Sequence, residues 1–462
     1  EDMVDNRKVK LFQTLLKKPK KSEIHLHSLK LFYEACLLLS GKYSADFIRD
    51  TKHTIHVDKN VRELIIDDKV YPVSQKKSML SKLEPSRKNK IKMKFEEFQL
   101  ERNQSLFENE VDYNLSESGV HPGSLNSLFD KKFVEEINNT ELTYGFTEGS
   151  LGLRKAIAEI YDKANPDNVQ VFNGSAEANM VACLTLLEPG DEMIYMVPNY
   201  LQIQGFAGGL GVEVKPFYLH ESSNWNPELD EIKNLVSSKT KMICICNPNN
   251  PTGSGLSKDM VIEIGDIARQ AGAWLLVDEV YRGAELSGEE CTSFWDIDYD
   301  KAIVNCGLSK AYGLPGLRLG WSASNEDYIQ DAWETHDYTS IAIGRLSDLI
   351  ATHVLQRTTR KKFLTATQTA LRNNLDLFQK WLDNYPGKFR FIPPQAGAMA
   401  FVHYEFDINS TKLIEKVRDE VSVMLVAGDW YGMDQYLRFG YGAKQDDLII
   451  ALDRIDRVFK AL

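Results

Sequence analysis

The chain has 462 residues, too many for a single hydrophobic core, so two or more domains are expected. Its composition, 43% hydrophobic and 26% charged, is that of a globular protein, and no apolar run reaches the roughly 18–20 residues of a membrane span. The formal charge of −11 hides an asymmetry: residues 1–92 hold 21 basic and 12 acidic side chains, net +9, while residues 93–462 hold 34 and 54, net −20.

The basic N-terminal segment reads first. "SEIHLHSLKLFYEACLLLSG" has a cap signal at Ser22, helical apolar spacing and a stop at Gly41. Its apolar stretch carries Glu34 and no small-residue cleavage site follows, so it reads as a buried helix, not a signal peptide. "ELIIDDKVYPV" (63–73) predicts two short strands around Asp67-Asp68, and lysine-rich 74–92 a linker. An alternative is a leader preceding a real start at Met93. His25, His27, His53 and His56 have no cysteine or carboxylate cluster to complete a zinc set, so no metal is expected. The six cysteines form no C-x-x-C pair. Cys244 and Cys246 read as small core residues of a strand, and the compartment expected is the reducing cytoplasm.

From about Phe95 strand-like runs alternate with helical segments. The runs are "VQVF" (169–172), "EMIYMV" (192–197), "VEVKPFYL" (212–219), "KMICICN" (241–247), "AWLLVDEV" (273–280), "KAIVNC" (301–306) and "LRLGWSA" (317–323). Helical patterns at 151–163, 176–187 and 257–271 lie between them. Such alternation predicts an α/β domain with a mostly parallel sheet, whose ligands bind beyond the carboxyl ends of the strands.

The residues just after those runs therefore carry the chemistry. Gly174, Ser175 and Ala176 are small and open a helix, whose free N–H groups suit a phosphate; alone, Asn-Gly-Ser is an ordinary cap. Tyr200 can stack on a planar ring. The unusual "PNNPTG" turn presents Asn250. Asp278 ends a strongly apolar strand, where a carboxylate is costly without a donor or cation, and Tyr281 follows three residues on. Lys310 lies in the glycine-rich "LSKAYGLPGLRLGW", eight positions before Arg318. Desolvation lowers a lysine's pKa, and the neutral amine forms Schiff bases. A lysine, an acid, a phosphate cup, an aromatic and an arginine together describe a pocket for pyridoxal 5'-phosphate (PLP).

Residues 95–462 resemble the class I/II aminotransferases of the aspartate aminotransferase fold. The motifs are "YGFTEGSLGLRKAIA", "NGSAEA", "NPNNPTG", "VDEVYRG", "SKAYGLPGLRLGW" and "YLRFGYG", in the family's order. "NLSESGVHPGSL" (114–125), the lysine motif and "HDYTS" (336–340) look most like the branch containing capreomycidine synthase. The resemblance implies a fold-type-I PLP-dependent transferase: a large domain with a mostly parallel seven-stranded sheet between helices, and a smaller α+β domain. The boundaries expected are 1–92 for a basic extension, 93–140 for the N-terminal part of the small domain and the active-site cover, 141–340 for the large domain and 341–462 for the C-terminal small domain. Lys310 would carry the cofactor and move the Cα proton, and Asp278 would pair with the pyridine N–H. Tyr281 and Asn250 would bond the ring hydroxyl oxygen, and Tyr200 would stack on the ring. Gly174, Ser175, Ala176, Ser309 and Arg318 would hold the phosphate, joined by Tyr144 from a neighbouring subunit, which implies a homodimer. Arg438 would bind the substrate α-carboxylate, with Gly119 and Asn250 beside it. Gly307 stands where the family often has a phosphate-binding serine, which puts one contact in doubt.

The reaction expected is transamination between an amino acid and a 2-oxo acid. A PLP-dependent lyase or cyclase would use the same motifs. A third reading joins a DNA-binding segment to an aminotransferase-like domain, and "KKPKK" (17–21) could touch phosphates. Residues 1–92 hold no convincing helix-turn-helix, so a nucleic-acid partner is not expected, and neither is a membrane.

Overall fold

The computed structural model of the protein describes Glu63–Ile66, Lys69–Pro72 and residues 95–462. The expected helix at 22–41, the linker at 74–92, "KKPKK" and the four early histidines lie outside the described residues. The chain divides into two compact units, Glu1–Lys92 and Met93–Leu462. In the first, β1 (Glu63–Ile66) and β2 (Lys69–Pro72) pair antiparallel, with Ile66 opposite Lys69. The strand–Asp-Asp–strand reading of that stretch matches this hairpin.

The second unit begins with a helix, Gln99–Phe107, and a two-residue strand, β3 (Tyr113–Asn114). Its centre is a seven-stranded sheet: β4 (Val169–Phe172), β5 (Glu192–Val197), β6 (Glu213–Tyr218), β7 (Thr240–Cys246), β8 (Trp274–Asp278), β9 (Ala302–Gly307) and β10 (Gly320–Ala323). The order is β4-β10-β9-β8-β7-β5-β6, and only β10 runs antiparallel to its neighbours. The inner strands are mostly apolar because both faces are covered. Alternation still sorts their side chains. Ile243, Ile245, Leu275, Val277 and Val304 join the core on one face, while Met242, Cys244, Leu276 and Ile303 join a second core on the other. Each such fully buried side chain contributes about 1.5–3 kcal/mol.

Two expectations are corrected in detail. The helix expected at 151–163 stops at Ala158: Lys163 takes a left-handed φ of 57°, and Asn165-Pro166 starts a new turn with Asn165 as its cap. The strand expected from Leu317 begins at Gly320, because Pro315–Leu317 form a 3-10 turn that ends in Arg318 at φ 45°. That turn brings the Arg318 guanidinium beside Gly174.

A second sheet follows the 26-residue helix Arg357–Leu382. It contains β11 (Phe389–Phe391), β12 (Met399–Tyr404), β14 (Val426–Ala427) and β15 (Tyr436–Gly440), in antiparallel order β11-β12-β15-β14. Strand β13 (Val423–Met424) pairs parallel with β3, which fixes residues 113–121 against the C-terminal part of the chain.

Candidate active site

A cavity of about 320 Å³ lies at the carboxyl ends of β4, β5, β7, β8 and β9. Ser175, Ala176, Tyr200, Asn250, Asp278 and Tyr281 line it from the strand-end loops. Ser309, Lys310 and Arg318 line it from the turn after β9, and Arg438 from β15. Ten of the thirteen residues singled out in the sequence therefore converge on one space. Gly174 and Gly119 stand immediately beside it. Tyr144 does not: its side chain is 91% exposed.

The floor is built around Asp278. It closes β8 and is buried, and burial pushes its carboxyl up from the ordinary value. Asn179 Nδ2 donates to Oδ2 at 3.0 Å and the Val280 amide donates to Oδ1 at 3.0 Å, which works the other way. Asn305 Nδ2 donates to Asn179 Oδ1 at 2.8 Å, and Ser322 Oγ donates to Asn305 Oδ1 at 2.5 Å. This relay through three strands' worth of polar side chains fixes which face of Asn179 meets the acid. The neighbouring carboxylate, Glu279, faces the other side of the sheet, where Ser293 Oγ and the Phe294 amide donate to it; burial raises it to about 7.

The anion cup combines two features. Gly174, at φ 97°, turns the chain from β4 into the helix Ser175–Leu186, whose first N–H groups have no intrahelical acceptor. A Cβ on Gly174 would stand 2.8 Å from Arg318 Nη2, so only glycine lets the guanidinium lie across the helix start. Among the described residues Arg318 has one hydrogen bond, to Pro315 O at 3.3 Å, and no carboxylate partner. A guanidinium packed against the positive end of a helix dipole is arranged for an anion.

Gly307, the departure noted in the sequence, ends β9 opposite Gly320. A Cβ there would meet Leu319 O at 2.9 Å. The close approach of β9 to the Arg318 turn explains the glycine.

Lys310 Nζ donates to Glu117 Oε2 at 3.3 Å, and the lysine's charge holds the Glu117 carboxyl below its ordinary value. Gly119 lets the 115–121 segment come this close, since a Cβ on it would be 3.2 Å from Lys310 Cδ. Tyr281 OH bonds Ser118 Oγ at 2.8 Å. Tyr200 OH donates to Glu101 Oε1 at 2.6 Å, and its ring lies 5.0 Å from that of Phe98.

Arg438 is 2% exposed. Its Nη1 donates to Asn250 Oδ1 and to Tyr431 OH, both at 2.9 Å, and its Nη2 donates to Ser116 O. All three acceptors are uncharged, and Nε is buried without a partner among the described residues. Asn250 spends its oxygen on Arg438, which leaves its amide nitrogen free of partners among the described residues.

Sequence reasoning missed Asn179, Asn305, Ser118, Glu117 and Glu101. Asn179 lies four residues after Ser175, on the same helix face, and that spacing could have placed it at the cavity. The others become neighbours only through tertiary contacts.

The family described as "Aminotransferase class I and II" matches residues 114–455. The chain belongs to this family. It is a PLP-dependent enzyme of amino-group transfer, with the fold-type-I architecture of a mostly parallel sheet between helices. A PLP-dependent aminotransferase from Streptococcus suis shares 31% identity at a TM-score of 0.75, covering 80% of this chain and 98% of that one. The aspartate aminotransferase of Thermotoga maritima is 28% identical over 68% of this chain and 81% of its own length. Capreomycidine synthase of Streptomyces vinaceus is 26% identical over 72% of this chain and 86% of its own. The aminotransferase match leaves residues 1–92 outside it. Among the described residues no helix is long and apolar enough to cross a membrane.

Proposed function

We propose that this aminotransferase takes an amino acid by its α-carboxylate at Arg438, carries PLP on Lys310, and passes the amino group to a 2-oxo acid. The observation that carries this reading is Arg438: a buried guanidinium with neutral acceptors and an unpaired Nε, in the same cavity as Lys310. A guanidinium accepts a carboxylate by two parallel bonds, and desolvation here makes an anion its best partner.

The donor set fits the cofactor. Arg318, Ser309 and the 174–176 helix start suit its phosphate, Asp278 its ring nitrogen, and Tyr281 with the free amide nitrogen of Asn250 its ring oxygen. The Tyr200 ring would lie over it. PLP, when bound, supplies an electron sink for the substrate's Cα. Asp278 keeps the ring nitrogen protonated, held in place by Asn179. Lys310 Nζ takes the proton from the substrate's Cα and returns it. Arg438 fixes the carboxylate, so the Cα–H bond faces that amine. The segment that would cover the site contributes Leu100, Glu101, Gln104, Glu108, Glu117 and Ser118 to its wall.

Two finer features complete the proposal. The loops at 142–146 and 338–343 lie side by side, since a Cβ on Gly145 would meet Ile343 O at 2.8 Å. They leave Leu142, Tyr144, Phe146, Tyr338 and Ile341 exposed, an apolar patch suited to a second copy of the chain, into whose site Tyr144 would reach. The free thiols of Cys183, Cys244, Cys246, Cys291 and Cys306 support a reducing, cytoplasmic setting.

The test is a spectrum of the full chain loaded with PLP. Lysine-bound cofactor absorbs in the near-visible, and Lys310→Ala removes that band. Amino acids bleach it with one oxo acid formed per site. Ammonia release or ring closure without an acceptor gives the reaction to a lyase or cyclase instead.

A further inference from the structure

We propose that Arg360 is a positioning residue for Lys310, acting through Tyr312 to hold the lysine amine where it captures the cofactor. The proposal rests on the PLP reading of the site. Neither Arg360 nor Tyr312 lines the cavity. Their link to it runs through the chain. Tyr312 lies two residues after Lys310, in a turn that the Leu314 amide closes by donating to Leu308 O at 3.0 Å.

The helix Arg357–Leu382 grips that turn from behind. Arg360 Nε donates to Tyr312 OH at 2.9 Å, and Thr367 Oγ1 donates to Ala311 O at 2.8 Å. Ala311 and Tyr312 are both buried. The two residues after the lysine are thus fixed from one helix face, since positions 360 and 367 are about two turns apart. The same face holds a second strand-end loop. Gln368 Nε2 donates to Gly283 O at 3.1 Å, and a Cβ on Gly283 would meet Leu364 Cδ2 at 2.9 Å. Gly283 lies two residues after Tyr281, so one helix sets the lysine turn against the loop that carries Tyr281.

Arg360 is itself oriented. Its Nη1 and Nη2 donate to Glu290 Oε1 and Oε2, both at 2.7 Å, a two-pronged contact. Glu290 also faces Arg282 Nη2 at 3.5 Å, and Arg282 Nε lies 4.0 Å from Glu279 Oε2. A row of paired charges therefore runs from Glu279 through Arg282, Glu290 and Arg360 to Tyr312. Glu279 and Arg282 directly follow Asp278 and Tyr281 in the chain, so the row backs three of the residues that meet the cofactor. Paired charges in a largely dry setting hold one arrangement, because breaking a pair strands its partner. The flexible four-carbon stem of Lys310 gives its amine no fixed place of its own, so the anchoring of its backbone decides how often Nζ meets the cofactor's aldehyde carbon. In that capture the neutral Nζ adds to the aldehyde carbon, and both nitrogen protons leave with the carbonyl oxygen as water, closing a C=N bond.

The experiment mixes PLP with the full chain freed of cofactor and follows the near-visible band by stopped flow. Docking of phosphate and ring precedes capture by Lys310. The rate at saturating PLP therefore reports the amine, and the half-saturating concentration reports the rest of the pocket. Tyr312→Phe keeps the ring in the core and the Arg360–Glu290 pair intact; it should slow capture at saturation at least roughly tenfold, the scale on which misplacing a reacting group is felt. Arg360→Lys should slow it too, and the double variant should be no slower than the slower single one, because the two side chains act as a unit. The half-saturating PLP concentration, and the Kd of pyridoxamine 5'-phosphate, which binds without a lysine bond, should stay within about twofold, a split that a general loosening of the fold would not give. Native-speed capture in either variant, further slowing in the double, or loss of pyridoxamine 5'-phosphate binding in step with capture overturns the proposal. A native chain that forms no band, or Lys310→Ala that keeps one, ends the PLP reading and this inference with it. A native band with unmoved capture in the variants ends this inference alone.

Discussion

Asn179 Nδ2 donates to Asp278 Oδ2 at 3.0 Å across 99 residues of chain, and it is the only side chain that bonds this acid among the described residues. A helix residue thereby sets the orientation of a strand-end carboxylate on which the proposed cofactor depends.

Asn179→Ala should weaken both stability and cofactor binding. Asp278 would lose one of two donors in a buried site, and Asn305 would be left without its acceptor, a loss of about 1–3 kcal/mol. Burial would then raise the Asp278 carboxyl further and deprive the ring nitrogen of its counterion. Thermal unfolding and a PLP titration should both register the change; an unchanged PLP affinity would sever Asn179 from cofactor binding.

Arg438→Lys keeps the charge and removes the two-pronged geometry. The KM for an amino donor should rise about 10- to 100-fold, the worth of one or two bonds to a charged group, while the lysine-bound cofactor band stays. Steady-state kinetics with the best donor would measure it. A kcat loss with unchanged KM would contradict the carboxylate role.

Gly307→Ser would supply the hydroxyl that the family resemblance leads one to expect at this position. Here its Cβ would press on Leu319 O at 2.9 Å, so β9 and the Arg318 turn must part. Overpacking of this kind costs about 1–3 kcal/mol. The variant should melt earlier and bind PLP no tighter; tighter binding without loss of stability would show that the turn yields.

Glu177 supplies a pH dependence. Burial opposes its charge, but bonds from His336, Ser340, Thr339 and the Asn173 amide prevail and bring its carboxyl from 4.5 to about 2. A lowered folded value means that its stabilisation is complete above about pH 4.5 and is lost as pH falls from there towards 2. Glu177→Gln should flatten stability against pH in that window, read by denaturant midpoints at stepped pH. A slope as steep as in the native chain would place the acid sensitivity elsewhere.

The strands, their parallel arrangement and the lysine turn were legible in the residues, because each is local. Apolar runs followed by Asn-Gly-Ser, Asn-Pro-Asn-Asn-Pro or Ser-Lys mark where strands end, and a parallel sheet gathers its strand ends on one side. What stayed hidden was every choice that depends on which face a side chain takes. Asp278 and Glu279 are adjacent carboxylates; Asp278 stands out as the strand's last residue, but the faces the two take were not legible. Strand alternation sends the first to the cavity and the second to Ser293 and Phe294 on the far side. Glu101 and Glu117 had no motif at all. Glu117 reaches the cavity because β3 pairs with β13 and because Gly119 lets its segment approach Lys310, and Glu101 is tied to it by Tyr200. The chemistry of the centre was thus written in short motifs. The charge of the wall around it was decided by contacts between residues hundreds of positions apart, where packing and not periodicity sets the neighbours.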